Sequence, residues 1–391
     1  MSRLEELIQE LCPNGVEWKS LEELGVFLGG LTGKSKDDFK DGNANFITYM
    51  NVFSNPGLNL HDDAKVKVAD GENQRRLEYG DVIFTGSSEI AEECAYTSVV
   101  CEVPEEDYYL NSFCFILRLN EVSLFNPHFL KHLFRSSYIR QQLVKTANGV
   151  TRFNVSKEKM KKVRIPVPPM EVQCEIVHIL DQFTLLTAKL TAELIARKQQ
   201  YEYYRDFLFD FNNEIELYKL NELCDITRGK RVVKSQLEEA GDYPVFQNTL
   251  LPMGYFTRWN CEENSTYVVS AGSAGEIGFC SSKSWMADDC LFFKNCNNIY
   301  NKFIYYFLKS KQEYIKTFVR KASVPRLSRE VIENLMIPVP PLEEQQRIVD
   351  ILDIFYAYCN DLTQGLPAEI ELRKQQYEYY RDKLLSFKEL K

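Results

Sequence analysis

Only four histidines and three tryptophans occur in the 391 residues, and apolar residues never run on for the ~18 positions a membrane-spanning helix needs. The N-terminal MSRLEELIQEL alternates charged and apolar residues in a helical rhythm and lacks the unbroken apolar core of a signal peptide, so a cytoplasmic chain is expected. Eleven cysteines include no CxxC pair and no short-spaced ligand cluster, which excludes the usual structural zinc sites. Cys114, Cys290 and Cys359 lie in apolar stretches, where a thiol serves as a small hydrophobe. His128 and His132 stand four residues apart without a nearby carboxylate or thiol in sequence, so they read as part of a helix face and no metal is expected.

Catalytic signatures are also missing. There is no GxSxG and no HExxH. The segment GGLTGKS (29–35) fails as a phosphate-binding loop because position 28, where the first glycine belongs, is Leu28. GSAGEIG (272–278) has glycines without the strand–helix unit of a dinucleotide fold. The two Pro-Pro dipeptides follow Val167 and Val339 and precede Met170 and Leu342, which is not the pattern of an amino-methyltransferase site. Positive charge is scarce overall, with a net charge of -9. It is concentrated, however. Residues 128–164 hold ten Lys or Arg against one acid (Glu158), and residues 302–330 hold eight against two (Glu313, Glu330). An acidic chain with two basic islands still suits a nucleic-acid partner.

What the chain does have is a repeat, and self-similarity outranks any motif search. IPVPP stands at 165–169 and again at 337–341. Related helical segments follow, MEVQCEIVHILDQF at 170–183 and LEEQQRIVDILDIF at 342–355, and RKQQYEYYRD at 197–206 recurs unchanged at 373–382. Upstream, VEWKSLEEL at 16–24 matches IELYKLNEL at 215–223. The frames match while the inserts between them diverge.

Pro-Pro starts a helix well and cannot continue one from upstream. The residues after each IPVPP therefore predict long helices with a coiled-coil-like apolar stripe, Ile176, Ile179, Phe183 and Leu186 in the first and Ile348, Leu352 and Phe355 in the second. Gly365 and Pro367 predict a bend or break in the second. The inserts carry short β-like runs at 81–84, 112–117, 267–270 and 291–293, with helical patterns near 127–144 and 301–319. The expected fold class is α+β, with two α/β domains separated by two long helices. The divisions are 1–15 (helical), 16–169 (first domain), 170–211 (long helix), 212–341 (second domain) and 342–391 (long helix).

Each insert offers three features suited to DNA: an opening turn with Lys34, or with Arg228, Lys230 and Arg231; a small-residue loop with Ser87 and Ser88, or with Ser273; and a basic loop with Lys145, Asn148, Thr151 and Arg152, or with Arg320, Lys321, Ser323 and Arg326. Small loops let backbone approach phosphates, Lys and Arg neutralise them, and Arg, Asn, Ser and Thr reach base edges. In the identical blocks, Glu202, Tyr203 and Arg205, with Glu378, Tyr379 and Arg381, cannot all face inward and are candidates for docking a partner twice.

The duplicated IPVPP, QxxIVxILDxF and RKQQYEYYRD blocks framing variable inserts resemble the specificity subunits of Type I restriction-modification systems, over nearly the whole chain. That resemblance implies two target-recognition domains, each reading one half of a split double-stranded DNA target. It implies that the helices form an antiparallel coiled coil, a pseudo-twofold arrangement that docks two methyltransferase subunits, with restriction subunits completing the complex. TAKL-TAEL at 187–194 resembles the family's spacer repeat. The chain itself is then not an enzyme and carries no cofactor, since the methyl donor binds the partner. The competing readings are a single-chain nuclease or methyltransferase with its chemistry in the inserts, and a two-headed protein-interaction scaffold.

Overall fold

A computed structural model describes residues 3–211, 215–238, 241–361 and 363–390. The chain divides into two compact units, one made of residues 1–189 with 371–391 and the other of residues 190–370. This partition cuts both long helical regions. Each unit takes one insert, the start of the helix that follows it, and the tyrosine-rich block belonging to the other repeat. The sequence boundary read between 211 and 212 touches residues outside the described set.

In the first unit, Glu17–Ser20 pairs antiparallel with Arg164–Val167, so the upstream frame segment is closed by the IPVPP strand (Trp18 opposite Pro166). Between these framing strands lies an antiparallel sheet in the order Gly25–Gly29, Cys114–Leu119, Val82–Thr85, Thr97–Val99. Val82–Thr85 is buried throughout, which explains an apolar run without polar alternation. Helices Pro127–Leu133 and Ser137–Val144 cover the sheet. The first begins with Asn126 capping the His128 amide and proline in the first turn, a strong start signal. Phe84, Phe115, Phe129 and Phe134 build the core, joined by Val172, Ile176 and Leu180 of the long helix and by Leu4 and Leu385.

The second unit repeats the plan. Leu217–Lys219 pairs with Met336–Pro338, and the sheet runs Asp225–Arg228, Cys290–Lys294, Ser265–Val269, Ile277–Cys280. Helices Asn301–Ser310 and Gln312–Thr317 cover it. Phe209 packs on Phe303 and Phe307, and Ile348, Val349 and Leu352 complete the core.

The helix after the first IPVPP is one element, Met170–Phe207, of 38 residues. At 1.5 Å per residue that is about 57 Å. The second is not one rod. It is two helices of 19 residues, Leu342–Asn360 and Leu366–Leu384. Asp361 turns the chain by accepting from the Thr363 and Gln364 amides, and Gly365 sits where a Cβ would strike the Asp361, Ala357 and Tyr358 carbonyl oxygens. Pro367, in the first turn of the new helix, has no amide to extend the old one. Cys114, Cys290 and Cys359 are all buried.

One residue of the repeated helix explains why each insert is seated rigidly on it. Gln173 is fully buried, accepts from the Asn126 amide at 2.9 Å and donates to the carbonyls of Leu124 (3.0 Å) and Pro168 (2.8 Å). Gln345 repeats all three contacts, with Tyr300, Asn298 and Pro340.

Candidate nucleic-acid interface

In the first unit, the small-residue loop and the basic loop meet. Ser87–Ser88 and Ala147–Asn148 flank Phe153–Val155 in a three-stranded ladder, with Asn148 opposite Asn154 and Asn154 opposite Ser87. Arg152, in the turn of that hairpin, donates from Nη2 to Ser87 Oγ at 3.1 Å and lies 5.6 Å from the Phe113 ring centroid. Gly149 makes the turn at φ +142, where a Cβ would stand 2.1 Å from the Arg152 carbonyl oxygen. Lys145, Asn148, Thr151 and Arg152 are exposed. A cavity of about 550 Å³ opens beside them, lined by Tyr49, Phe53, Ser88, Glu93, Phe113 and Arg152.

The second unit makes the same junction. Arg320 and Arg326 pair across a hairpin, and Arg326 also pairs with Ala271 of the small-residue loop. Arg320, Lys321, Ser323 and Arg326 are exposed, as are Ser273, Arg228, Lys230 and Arg231. Arg228 donates from Nε to the Asp288 carbonyl at 2.8 Å, which folds the opening turn onto the sheet.

Three expectations change. Lys34 is committed within the protein, where its ammonium meets Glu72 at 2.6 Å and its side chain is only 9% exposed. That hydrogen bond, with those from Gln74 and the Ala69 amide, lowers Glu72 to about 2. Arg205 and Arg381 likewise bond the neighbouring Asp206 (2.8 Å) and Asp382 (3.0 Å), with side chains 18% and 11% exposed. Glu202, Tyr203, Glu378 and Tyr379 remain exposed. The basic islands also count charges that serve the fold. Arg135 and Arg140 stack on Tyr96 and donate to backbone carbonyls, and burial lowers Arg135 to about 10.

The histidine pair belongs to a clasp. His132 is buried, with Nε2 2.8 Å from Asp181 and Nδ1 2.8 Å from the Tyr377 hydroxyl. Burial alone would raise Asp181, but hydrogen bonds from His132 and Lys131 hold it down at about 2. An ionised Asp181 only accepts, so His132 donates from Nε2 and accepts the Tyr377 proton at Nδ1. In the second unit, the corresponding Asp353 takes Lys302 at 2.7 Å and the Tyr306 hydroxyl. Burial, outweighing Asp181, lowers the His132 pKa below its ordinary 6.5. The unfolded chain therefore binds this proton first, and the stability it confers is full above about pH 6.5 and falls as pH drops below. His132→Tyr, which copies the second unit, is expected to flatten the loss of first-unit hydrogen-exchange protection between pH 7 and 5. An unchanged slope would show that His132 does not control it.

Against this geometry, comparison with known proteins is decisive. A family model described as the Type I restriction modification DNA specificity domain matches twice, at residues 13–197 and 212–372. The chain belongs to this family. It is 34% identical over 248 residues to a putative type I specificity subunit of Mycoplasma pneumoniae, covering 60% of this chain and 90% of that one. It is 37% identical over 262 residues to the EcoR124I/EcoR124II specificity subunit of Escherichia coli, covering 60% and 65%. A solved chain from work on assembly and conformational transition of the type I R-M system superposes with a TM-score of 0.69 at 18% identity, covering 96% and 98%, which supports the fold. The relatives are named as specificity subunits, a non-catalytic role, and nothing favours a single-chain nuclease or methyltransferase. Among the described residues no helix is long and apolar enough to cross a membrane.

Sequence reasoning missed Asn154. The two basic loops as read from the sequence end on Arg152 and on Arg326. The hydrogen-bond register pairs them differently. Thr85 faces Cys114 as Val269 faces Cys290, and the Val155 amide bonds Gly86 O as the Leu327 amide bonds Ser270 O. One step back along each strand, Asn154 corresponds to Arg326 and Asn148 to Arg320. The sequence carries the same signal, since Asn154 and Arg326 each stand eleven residues before the isoleucine of IPVPP.

Proposed function

We propose that this subunit recognises a bipartite double-stranded DNA target, one half-site per unit, and docks two methyltransferase subunits, with restriction subunits joining through them. The reading is carried by one observation: in both diverged inserts an exposed basic or amide-bearing hairpin is laddered onto a small-residue loop. Two modest DNA-binding surfaces in one assembly make the second contact intramolecular, so affinity depends on the gap between half-sites. Exposure of Tyr203 and Tyr379 on otherwise identical blocks supports two equivalent docking points. A cytoplasmic location follows from this role.

The test is co-purification with the cognate methyltransferase subunit, followed by methylome sequencing of cells carrying both. One bipartite motif, methylated on both strands and lost on Arg152→Ala or Arg326→Ala, is the expected result. A chain that recruits no methyltransferase and leaves the methylome unchanged would overturn the proposal.

A further inference from the structure

The two hairpins share a backbone plan and differ in what they hold out. Asn154 is the middle residue of a ladder, between Asn148 on one side and Ser87 on the other. Arg326 is the middle residue of the matching ladder, between Arg320 and Ala271. Both side chains are exposed although both backbones are fixed from two sides. Directly opposed residues present their side chains to the same face, so each hairpin offers a chemically uniform pair: Asn with Asn in the first unit, Arg with Arg in the second. Within the first pair Asn148 is partly engaged, its Oδ1 accepting from Lys159 Nζ at 2.6 Å. In the second, Arg320 borders a cavity of about 940 Å³ with Tyr314 and Phe318, whereas Arg326 stands on the ladder itself.

Asparagine and arginine answer different base edges. A carboxamide offers one acceptor and one donor in a plane, which matches adenine N6 and N7. A guanidinium offers two parallel donors, which match guanine O6 and N7. A side chain on a rigid ladder selects a base better than one on a free loop, because its direction is set before contact. Resting on the DNA-reading role proposed above, we infer that the first unit reads an adenine through Asn154 and the second a guanine through Arg326. The two half-sites would then differ at the base that this ladder position meets.

The test uses the full chain assembled with its methyltransferase subunits and duplexes carrying the motif found by methylome sequencing. Replacing single guanines by 7-deazaguanine, or single adenines by 7-deazaadenine, removes N7 and nothing else from the major-groove edge. One 7-deazaguanine in one half-site and one 7-deazaadenine in the other should each weaken binding about tenfold. Arg326→Ala complexes should lose the first sensitivity and keep the second, and Asn154→Ala the reverse. Where Arg326→Ala fails to bind at all, the wild-type profile and Arg326→Met, which keeps the length without any donor, decide. A wild-type complex indifferent to every N7, or an Arg326→Ala or Arg326→Met complex that still senses the same guanine, would overturn the assignment while leaving bipartite recognition standing. Absence of any bipartite motif would remove the DNA-reading role itself.

Discussion

Gln173→Leu is expected to destabilise the first unit by about 3 kcal/mol or more, and Gln345→Leu the second by a similar amount. The leucine fits the space left by a side chain that is fully buried in both cases. It leaves one amide and two carbonyls without partners: Asn126, Leu124 and Pro168 in one unit, Tyr300, Asn298 and Pro340 in the other. Each unsatisfied buried group costs roughly 1–3 kcal/mol, while the added apolar burial returns only part of that. The residues concerned join the insert to the long helix, so the loss falls on the seating of the domain. Denaturant unfolding followed by hydrogen exchange should show protection falling in the substituted unit first. Equal protection in both units, with an unshifted midpoint, would mean these bonds are replaced by solvent at little cost.

That glutamine shows where sequence reading stops. The QxxIVxILDxF blocks were legible as a duplicated frame, and the two central strands of each main sheet, the covering helices and the break at Gly365 and Pro367 followed from period, length and turn chemistry, whereas the outer strands of those sheets did not. A repeated glutamine carries no sign of being buried, because two of its three partners are backbone groups 45 to 49 residues away in sequence and invisible to composition. The basic islands misled for the complementary reason. Arg135, Arg140, Lys131 and Lys302 look like surface charge in sequence, yet they stack on Tyr96 or meet Asp181 and Asp353. Asn154 was overlooked because an asparagine adds nothing to a charge count. Its equivalence to Arg326 was legible all the same, in the eleven residues that separate each from the isoleucine of IPVPP.

The last large effect concerns assembly. Tyr203→Ala combined with Tyr379→Ala is expected to abolish co-purification of methyltransferase subunits while leaving the fold intact. The two tyrosines are 65% and 62% exposed, whereas their neighbours Tyr201 and Tyr377 turn inward beneath Arg205 and Arg381. Packing explains why Tyr201 and Tyr377 match, since both pack against cores, whereas the exposed rings meet only neighbours on their own helices, Tyr204 and Phe207 for Tyr203 and Tyr380 and Lys383 for Tyr379. On the docking role proposed above, the exposed tyrosines flanked by Glu202 and Glu378 would act as amphipathic anchors, and truncating one such ring at an interface commonly costs about 2 kcal/mol, roughly thirtyfold in affinity. Two equivalent sites should respond in steps, each single variant retaining one methyltransferase and the double variant none. Native mass spectrometry of the co-expressed complex would resolve those stoichiometries. Full retention by the double variant would move the docking surface elsewhere and leave the identity of these blocks to shared packing alone.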